Sequence, residues 1–98
     1  MHVRILSPAE RDLEEGYSFY ERQTPGLGSY FLDSLYSDIG SLSYFGGIHR
    51  IVFGHHRLLS KRFPFAIYYK MVVDEVLVTA VLECRRNPSW IRERLMQD

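Results

Sequence analysis

Basic and aromatic side chains in the second half of the chain are the best candidates for chemistry. Arginine and lysine can hold phosphates or carboxylates, and aromatic rings beside them can stack on bases or receive apolar side chains of a partner. These candidates lie between positions 57 and 86: Arg57, Lys61, Arg62, Tyr68, Lys70, Arg85 and Arg86. The same charges also fit a plainer alternative, in which they keep the edges of a sheet soluble.

Three nearby histidines suggest a metal site, but their spacing argues against one. His49, His55 and His56 match no familiar zinc pattern, and adjacent strand residues point to opposite faces. The lone Cys84 adds no second thiol, and its strand position predicts a packed core thiol. The Gly26-Leu27-Gly28 segment lacks the preceding strand and the third glycine of a dinucleotide fingerprint. We therefore expect neither a metal nor a cofactor.

Composition predicts one globular domain over residues 1–98. The hydrophobic fraction is 46%, and no apolar run has the roughly 18 residues that a membrane span requires. A single cysteine and the absence of a signal-peptide pattern favour a reducing, cytoplasmic setting. The formal net charge is zero, but residues 1–47 carry −4 and residues 48–98 carry +4. Because phosphate contacts dominate nucleic-acid affinity, this balance weighs against nucleic acid as the main partner.

Three consecutive strands must position the basic residues. They are predicted at Arg57–Lys61, Phe65–Met71 and Glu75–Arg85, with connections too short for a crossover helix, so they form an antiparallel meander. The third strand is apolar on both faces, which predicts that both faces of the sheet are covered. The helices would cover one face and a partner the other. The two alternating sets are Val76, Val78, Ala80 and Leu82, and Leu77, Thr79 and Val81.

The remaining elements are predicted from helix signals. A strand at His2–Leu6 precedes a helix that starts with Ser7 as N-cap, is closed by a capping box with Glu10, and ends near Gln23. Its buried stripe is predicted as Leu13, Tyr17 and Tyr20, and its acidic residues are predicted to be solvated: Glu10, Asp12, Glu14, Glu15 and Glu21.

A second helix is predicted from Ser29 to the Gly46-Gly47 pair, with Phe31, Leu35, Ile39 and Leu42 on its buried face. An irregular connection over Ile48–His56 follows, and a last helix covers Ser89–Met96 after Asn87 as N-cap and Pro88. The order is β-α-α-β-β-β-α, an α+β fold in which a small antiparallel sheet packs on a helical hairpin. The expected core is Tyr17, Phe31, Leu35, Ile67, Tyr69, Val78 and Ala80.

The segment Arg62–Pro88 resembles the C-terminal signature of the RelE/ParE toxin superfamily, also called plasmid-stabilisation proteins. Shared features are a Phe-Pro turn, an Ile-Tyr-Tyr strand, an acidic turn, an apolar strand and Arg-Arg-x-Pro. The resemblance implies a bacterial toxin of a type II toxin–antitoxin pair, with the antitoxin laid over the sheet and helices. On that basis the expected antitoxin contacts are Lys61, Arg62, Tyr68, Lys70, Thr79, Val81 and Arg85.

The superfamily divides by target, and the resemblance implies two alternatives. RelE-like members cut mRNA on the ribosome with clustered basic residues; the comparable positions here are Arg57, Lys61, Arg62 and Arg85. Trp90 stands where a C-terminal acid or base is sought and cannot transfer a proton, although His55 and His56 remain candidates. ParE-like members inhibit DNA gyrase by binding. The near-neutral charge and the Arg-Arg-Asn-Pro ending favour the gyrase inhibitor, and the mRNA endonuclease is the alternative.

Overall fold

The computed structural model describes residues 1–97, which form one mixed sheet, a helical hairpin and a C-terminal helix. The elements in chain order are β1 (His2–Ile5), α1 (Ser7–Gln23), α2 (Leu27–Gly40), α3 (Leu42–Phe45), β2 (Ile51–Val52), β3 (His55–Leu59), β4 (Phe65–Val72), β5 (Glu75–Glu83) and α4 (Pro88–Met96). Within this part of the chain, no helix is long and apolar enough to cross a membrane.

The sheet contains the predicted meander. Within residues 1–97 its strand order is β1-β5-β4-β3-β2, and β3, β4 and β5 are antiparallel neighbours. The first strand lies parallel to β5, with Val3 opposite Val76 and Ile5 opposite Val78. Parallel neighbours need a long connection, and the one between β1 and β5 runs through the three helices and the other three strands. The α+β fold and the order of its elements are therefore confirmed, with a mixed rather than purely antiparallel sheet.

Several predicted boundaries in the sheet differ from the structure. The segment predicted as irregular contains β2 and a two-residue hairpin turn into β3, which begins at His55 rather than Arg57. Both turn residues have positive φ, 51° at Phe53 and 78° at Gly54. Such turns usually carry Asn-Gly or Gly-Gly, so the Phe53-Gly54 pair does not indicate a hairpin in the sequence. At the other end, β5 stops at Glu83 rather than Arg85.

The helix starts also differ from the prediction. Helix α1 begins at Ser7 itself, with Leu6 as N-cap and no side-chain cap, so the predicted capping box does not form. Helix α2 begins at Leu27 instead of Ser29, because the Glu21 carboxylate accepts hydrogen bonds from the Gly26 and Gly28 amides. It ends at Gly40, and α3 is a separate short helix.

The main core lies between the helical hairpin and the sheet. Phe31, Leu35, Ile67, Tyr69 and Val78 are buried there, as predicted. Two members of the predicted core are misplaced: Tyr17 and Ala80. Tyr17 is only half-buried, because Gly16 occupies the buried stripe and lets the Phe31 ring press against α1.

A β-bulge puts Ala80 on the opposite face. Tyr68 pairs with Ala80 and Tyr69 with Val78, so Thr79 is the extra residue on β5. Side-chain alternation shifts by one residue at a bulge. As a result Val81 joins Val78 in the main core, and the predicted alternation of β5 fails beyond Val78.

The second face of the sheet is covered in part by this chain's own C-terminus. Ile91 and Leu95 of α4 pack on a second cluster formed by Ala66, Tyr68, Ala80 and Leu82. Asn87 is the N-cap, as predicted, and its side chain accepts a hydrogen bond of 2.8 Å from the Ser89 amide. The expectation that this face waits entirely for a partner is therefore wrong.

Candidate functional site

A groove of about 970 Å³ follows the outer edge of β5 between α1 and α4. Because β1 pairs only with Glu75–Val78, the outer edge of β5 beyond Val78 has α1 as its neighbour, while the inner edge pairs with β4. Phe19 of α1 and Trp90 of α4 stand on its two walls, and Lys70 of β4 stands near one end. A groove lined by both apolar and charged side chains suits a segment of another protein.

An ion pair connects the two helices that border the groove. The Asp12 carboxylate of α1 accepts 2.9 Å and 2.7 Å hydrogen bonds from the two terminal nitrogens of Arg94 in α4. It also accepts the Val81 amide of the β5 edge at 2.9 Å. One carboxylate thus joins two helices to the sheet. Burial raises the pKa of Asp12, outweighing the opposing effects of Arg94 and the Val81 amide.

Asp12 lines the groove, and its burial differs from the prediction. It was predicted to be solvated with the other acidic residues of α1, yet only 7% of it is exposed. Helical spacing carries the missed signal: Ala9, Asp12, Leu13 and Gly16 recur at i, i+3, i+4 and i+7 and form the buried stripe of α1. A single carboxylate on such a stripe predicts a buried partner.

Charges of both signs lie where β5 leads into α4. The Arg86 guanidinium lies 4.0 Å above the centre of the Trp90 ring, a cation–π contact. The Arg85 Nε lies 3.3 Å from the Glu83 carboxylate, but its side chain is 70% exposed. An ion pair that exposed contributes little to stability. Arg85 is therefore oriented toward solvent and available to a partner.

A second pair of cations lies at the same end of the sheet. Lys61 and Arg62 are exposed in the loop between β3 and β4. Asp38 anchors this loop, because its buried carboxylate accepts hydrogen bonds from the Ser60 hydroxyl at 2.8 Å and from the Lys61 amide at 3.3 Å. Phe63 in the same loop packs against Tyr20, Tyr30 and Phe31. We call Lys61, Arg62, Arg85 and Arg86 the basic end.

Arg57 and Tyr68 lie together on the α4 side of the sheet. Tyr68 is 2% exposed and belongs to the second cluster, while Arg57 is half-buried on the neighbouring strand. Burial raises the pKa of Tyr68, and the nearby Arg57 guanidinium opposes that rise. Tyr68 therefore contributes to the packing of α4 and offers little surface to a partner.

The structure places the predicted partner contacts in different parts of the molecule. Lys70 and Thr79 line the groove, and Lys61, Arg62 and Arg85 lie at the basic end. Val81 also lines the groove, but it is 2% exposed and its side chain packs in the main core. Whether the exposed residues bind an antitoxin stays a prediction.

The cysteine and the histidines complete the predicted candidates. Cys84 is exposed just after β5, so the prediction of a core thiol is wrong; partial burial raises the pKa of that thiol. The rings of His55 and His56 point to opposite faces, with His55 bonded to the Phe53 carbonyl and His56 to the His49 carbonyl. Among residues 1–97, no three His, Cys, Asp or Glu side chains come together as a metal site would require.

Comparison with solved structures gives the class of fold. A chain in a solved structure described as a chromosomal ParDE TA system from P. aeruginosa matches with a TM-score of 0.76 and 19% sequence identity. The match covers 85% of this chain and 95% of that chain. No protein-family model and no curated protein matches. This chain therefore has a ParE-like fold, as predicted.

Proposed function

We propose that this protein is the toxin of a type II toxin–antitoxin pair, that it inhibits DNA gyrase by binding, and that a cognate antitoxin neutralises it. The observation that carries the proposal is the likeness to a chain of a ParDE TA system over 95% of that chain. The signature over Arg62–Pro88 supports the same class from side chains rather than backbone. The antitoxin is expected to be encoded beside the toxin, and both would act in the bacterial cytoplasm.

The positions of proton-transfer residues support binding rather than RNA cleavage. His55 and His56 begin β3, whereas Arg85 follows Glu83, which pairs with Phe65 at the far end of the sheet. Since β3 has five residues, the histidines lie on the order of 13 Å from that end along the strand. A general acid or base must be within hydrogen-bond reach of its proton, so these histidines do not serve the basic end.

A ribosome-dependent mRNA endonuclease is the second candidate. The grouping of Lys61, Arg62 and Arg85 at one end of the sheet favours it, with Arg57 further along the face. The zero net charge disfavours it, because binding to ribosomal RNA is driven by neutralisation of phosphates. A gyrase inhibitor needs a complementary surface and no such excess of positive charge.

The groove along β5 is the proposed site for the C-terminal segment of the antitoxin. Its aromatic walls would receive apolar side chains, and acidic residues of the antitoxin would meet Lys70 and the basic end. Complexes of this kind bury about 1,200 Å² or more in total. Burial of the Phe19 and Trp90 rings would supply the centre of that interface.

Truncating an aromatic wall of the groove tests this site. We expect Phe19→Ala to weaken antitoxin binding by about tenfold or more, the effect of losing a buried aromatic anchor. Tyr44→Ala is the matched control, since Tyr44 is 84% exposed on α3 and lies outside the groove. Calorimetric titration of the antitoxin into each variant gives the affinities. Equal losses in both variants would place the antitoxin elsewhere.

The order of events after induction tests the choice of target in cells. A gyrase inhibitor should stop DNA synthesis before protein synthesis, because supercoiling fails while ribosomes remain active. Pulse labelling with thymidine and with methionine after induction measures both. Earlier loss of methionine incorporation would favour the endonuclease.

A further inference from the structure

A buried hydroxyl fastens the connection between α3 and β2 to the sheet. Tyr69 of β4 is 0% exposed, and its hydroxyl oxygen accepts a 2.9 Å hydrogen bond from the Gly47 amide. The same oxygen lies 2.6 Å from Nδ1 of His49, which is half-buried in the connection. Gly47 has a φ of 98°, so its backbone reaches this hydroxyl in a conformation that glycine adopts readily.

The geometry fixes which way the proton of this hydroxyl points. Among residues 1–97, the hydrogen-bond partners of the Tyr69 hydroxyl are the Gly47 amide and His49 Nδ1. The amide can only donate, so the hydroxyl has a single neighbour that can accept its proton. The Tyr69 hydroxyl therefore donates to His49 Nδ1, and the neutral histidine carries its proton on Nε2.

Protonation of His49 is incompatible with this arrangement. It would place an N–H on Nδ1, facing the O–H of Tyr69, and a buried hydroxyl would lose its acceptor. We propose that the His49–Tyr69 contact makes residues 46–50 pH-sensitive: they are fastened to β4 while His49 is neutral and are released when Nδ1 is protonated. The proposal stands apart from the choice of target and from the antitoxin groove.

The groups around His49 also favour its neutral form. The titratable groups that face it are His56 on β3, whose ring stacks on Tyr69 with centres 5.0 Å apart, and Tyr69 itself on β4. The His56 Nδ1–H donates to the His49 carbonyl at 2.7 Å, so a proton gained by His56 would place a like charge beside His49. Burial first, and then His56, lower the pKa of His49 below its usual value. Arg50 follows in the chain and is exposed.

The sign of the pH dependence follows from the lowered pKa. His49 binds a proton more readily when residues 46–50 are released than when they are fastened to β4. The fastened state is therefore favoured above a pH of about 6.5, the ordinary pKa of histidine. The preference falls as the pH drops from there through the pKa of fastened His49. One linked proton limits the change to about tenfold per pH unit.

Hydrogen exchange of the Gly47 amide at pH 7.5 and pH 5.5 tests the proposal, with rates corrected for intrinsic exchange. We expect several-fold more opening at the lower pH, and no change at the Cys84 amide, which is bonded to the Pro64 carbonyl at the far end of the sheet. In His49→Asn the side-chain oxygen can accept the Tyr69 proton but cannot titrate, so the difference should vanish. His56→Asn, which keeps a donor to the His49 carbonyl, should retain it.

Two results would overturn the proposal. One is equal opening of the wild-type Gly47 amide at both pH values, and the other is a pH effect that survives in His49→Asn and is lost in His56→Asn. Nitrogen NMR of wild-type protein at pH 7.5 gives a separate check that no variant has to fold for. The expected tautomer has the proton on Nε2, and a proton on Nδ1 would also overturn it.

Discussion

Asp12 shows how one side chain can join separate parts of a small fold. Its carboxylate binds both terminal nitrogens of Arg94 and the Val81 amide, so α1, α4 and the edge of β5 meet at a single group. An unpaired amide on a strand edge is open to pairing with other chains, and here a helix side chain occupies it. The Asp12–Arg94 ion pair therefore holds α4 in place. The same carboxylate occupies the Val81 amide, so this amide is not free to pair with another strand.

Removing only the arginine should be strongly destabilising. Arg94→Met leaves the Asp12 carboxylate buried with its charge uncompensated, and such losses typically cost about 3–5 kcal/mol. Because 21% of the Arg94 side chain is exposed, water will offset part of this, and we expect a value near the lower end of that range. The free energy of unfolding, measured by urea titration, checks the expectation.

Two control variants make this result specific. Arg92→Met removes an exposed cation from the same helix and should change the free energy of unfolding by less than about 0.5 kcal/mol. Asp12→Asn combined with Arg94→Met removes both charges and should recover most of the loss. If the double variant is no more stable than Arg94→Met, the buried charge is not the cause.

Residues that obey helix and strand periodicity could be predicted from the sequence, and those that depend on a distant partner could not. Phe31 and Leu35 are buried at the expected spacing. Asp12 lies on a buried stripe that the same spacing defines, but its burial depends on Arg94, 82 positions away. Cys84 was misjudged because the strand ends one residue before it.

At the scale of the elements, the packing of α1 on α2 depends on a missing side chain. A Cβ built at Gly16 would stand 2.5 Å from the Phe31 ring, closer than real contacts allow. The glycine therefore permits the two helices of the hairpin to approach until the ring fills the core. The sequence alone gives a glycine in the middle of a helix, which by propensity predicts only a weaker helix.

Alanine at two helical glycines separates propensity from packing. Gly16→Ala should destabilise by about 1–3 kcal/mol, because the added methyl group presses on the Phe31 ring, which already contacts three other aromatic rings. Gly40→Ala in α2 meets nothing within 4 Å and should be neutral or stabilise by up to about 1 kcal/mol. Thermal unfolding of both variants tests this. A stabilising Gly16→Ala would mean that the Phe31 ring shifts freely.

The bulge at Thr79 explains why the faces of β5 could not be predicted. Strict alternation assigns Val78 and Ala80 to one face, whereas the register shift sends Ala80 to the α4 side and Val81 to the helical hairpin. Because apolar residues follow Thr79 in both alternating sets, the hydrophobic pattern does not reveal the shift in the sequence. The Thr79 hydroxyl donates to the Tyr68 carbonyl at 3.3 Å at that point.

At the scale of the whole molecule, the acidic and the basic residues are concentrated in different halves of the chain. The N-terminal half, with its net charge of −4, contains the helical hairpin, and the C-terminal half, at +4, contains the meander and α4. Lys61, Arg62, Arg85 and Arg86 gather at one end of the sheet, and the groove leads along β5 toward them. The order of elements and the meander could be predicted from the sequence, whereas the groove could not, because it depends on where α4 packs.

We propose that this protein binds gyrase and does not cleave RNA. The direct measurement is the supercoiling of relaxed plasmid by purified gyrase with added protein, beside a primer-extension assay of mRNA on programmed ribosomes with the same preparation. We expect loss of supercoiling that the antitoxin reverses, with mRNA left intact. Site-specific cutting of ribosome-bound mRNA with supercoiling unaffected would contradict it and would make the basic end a catalytic surface.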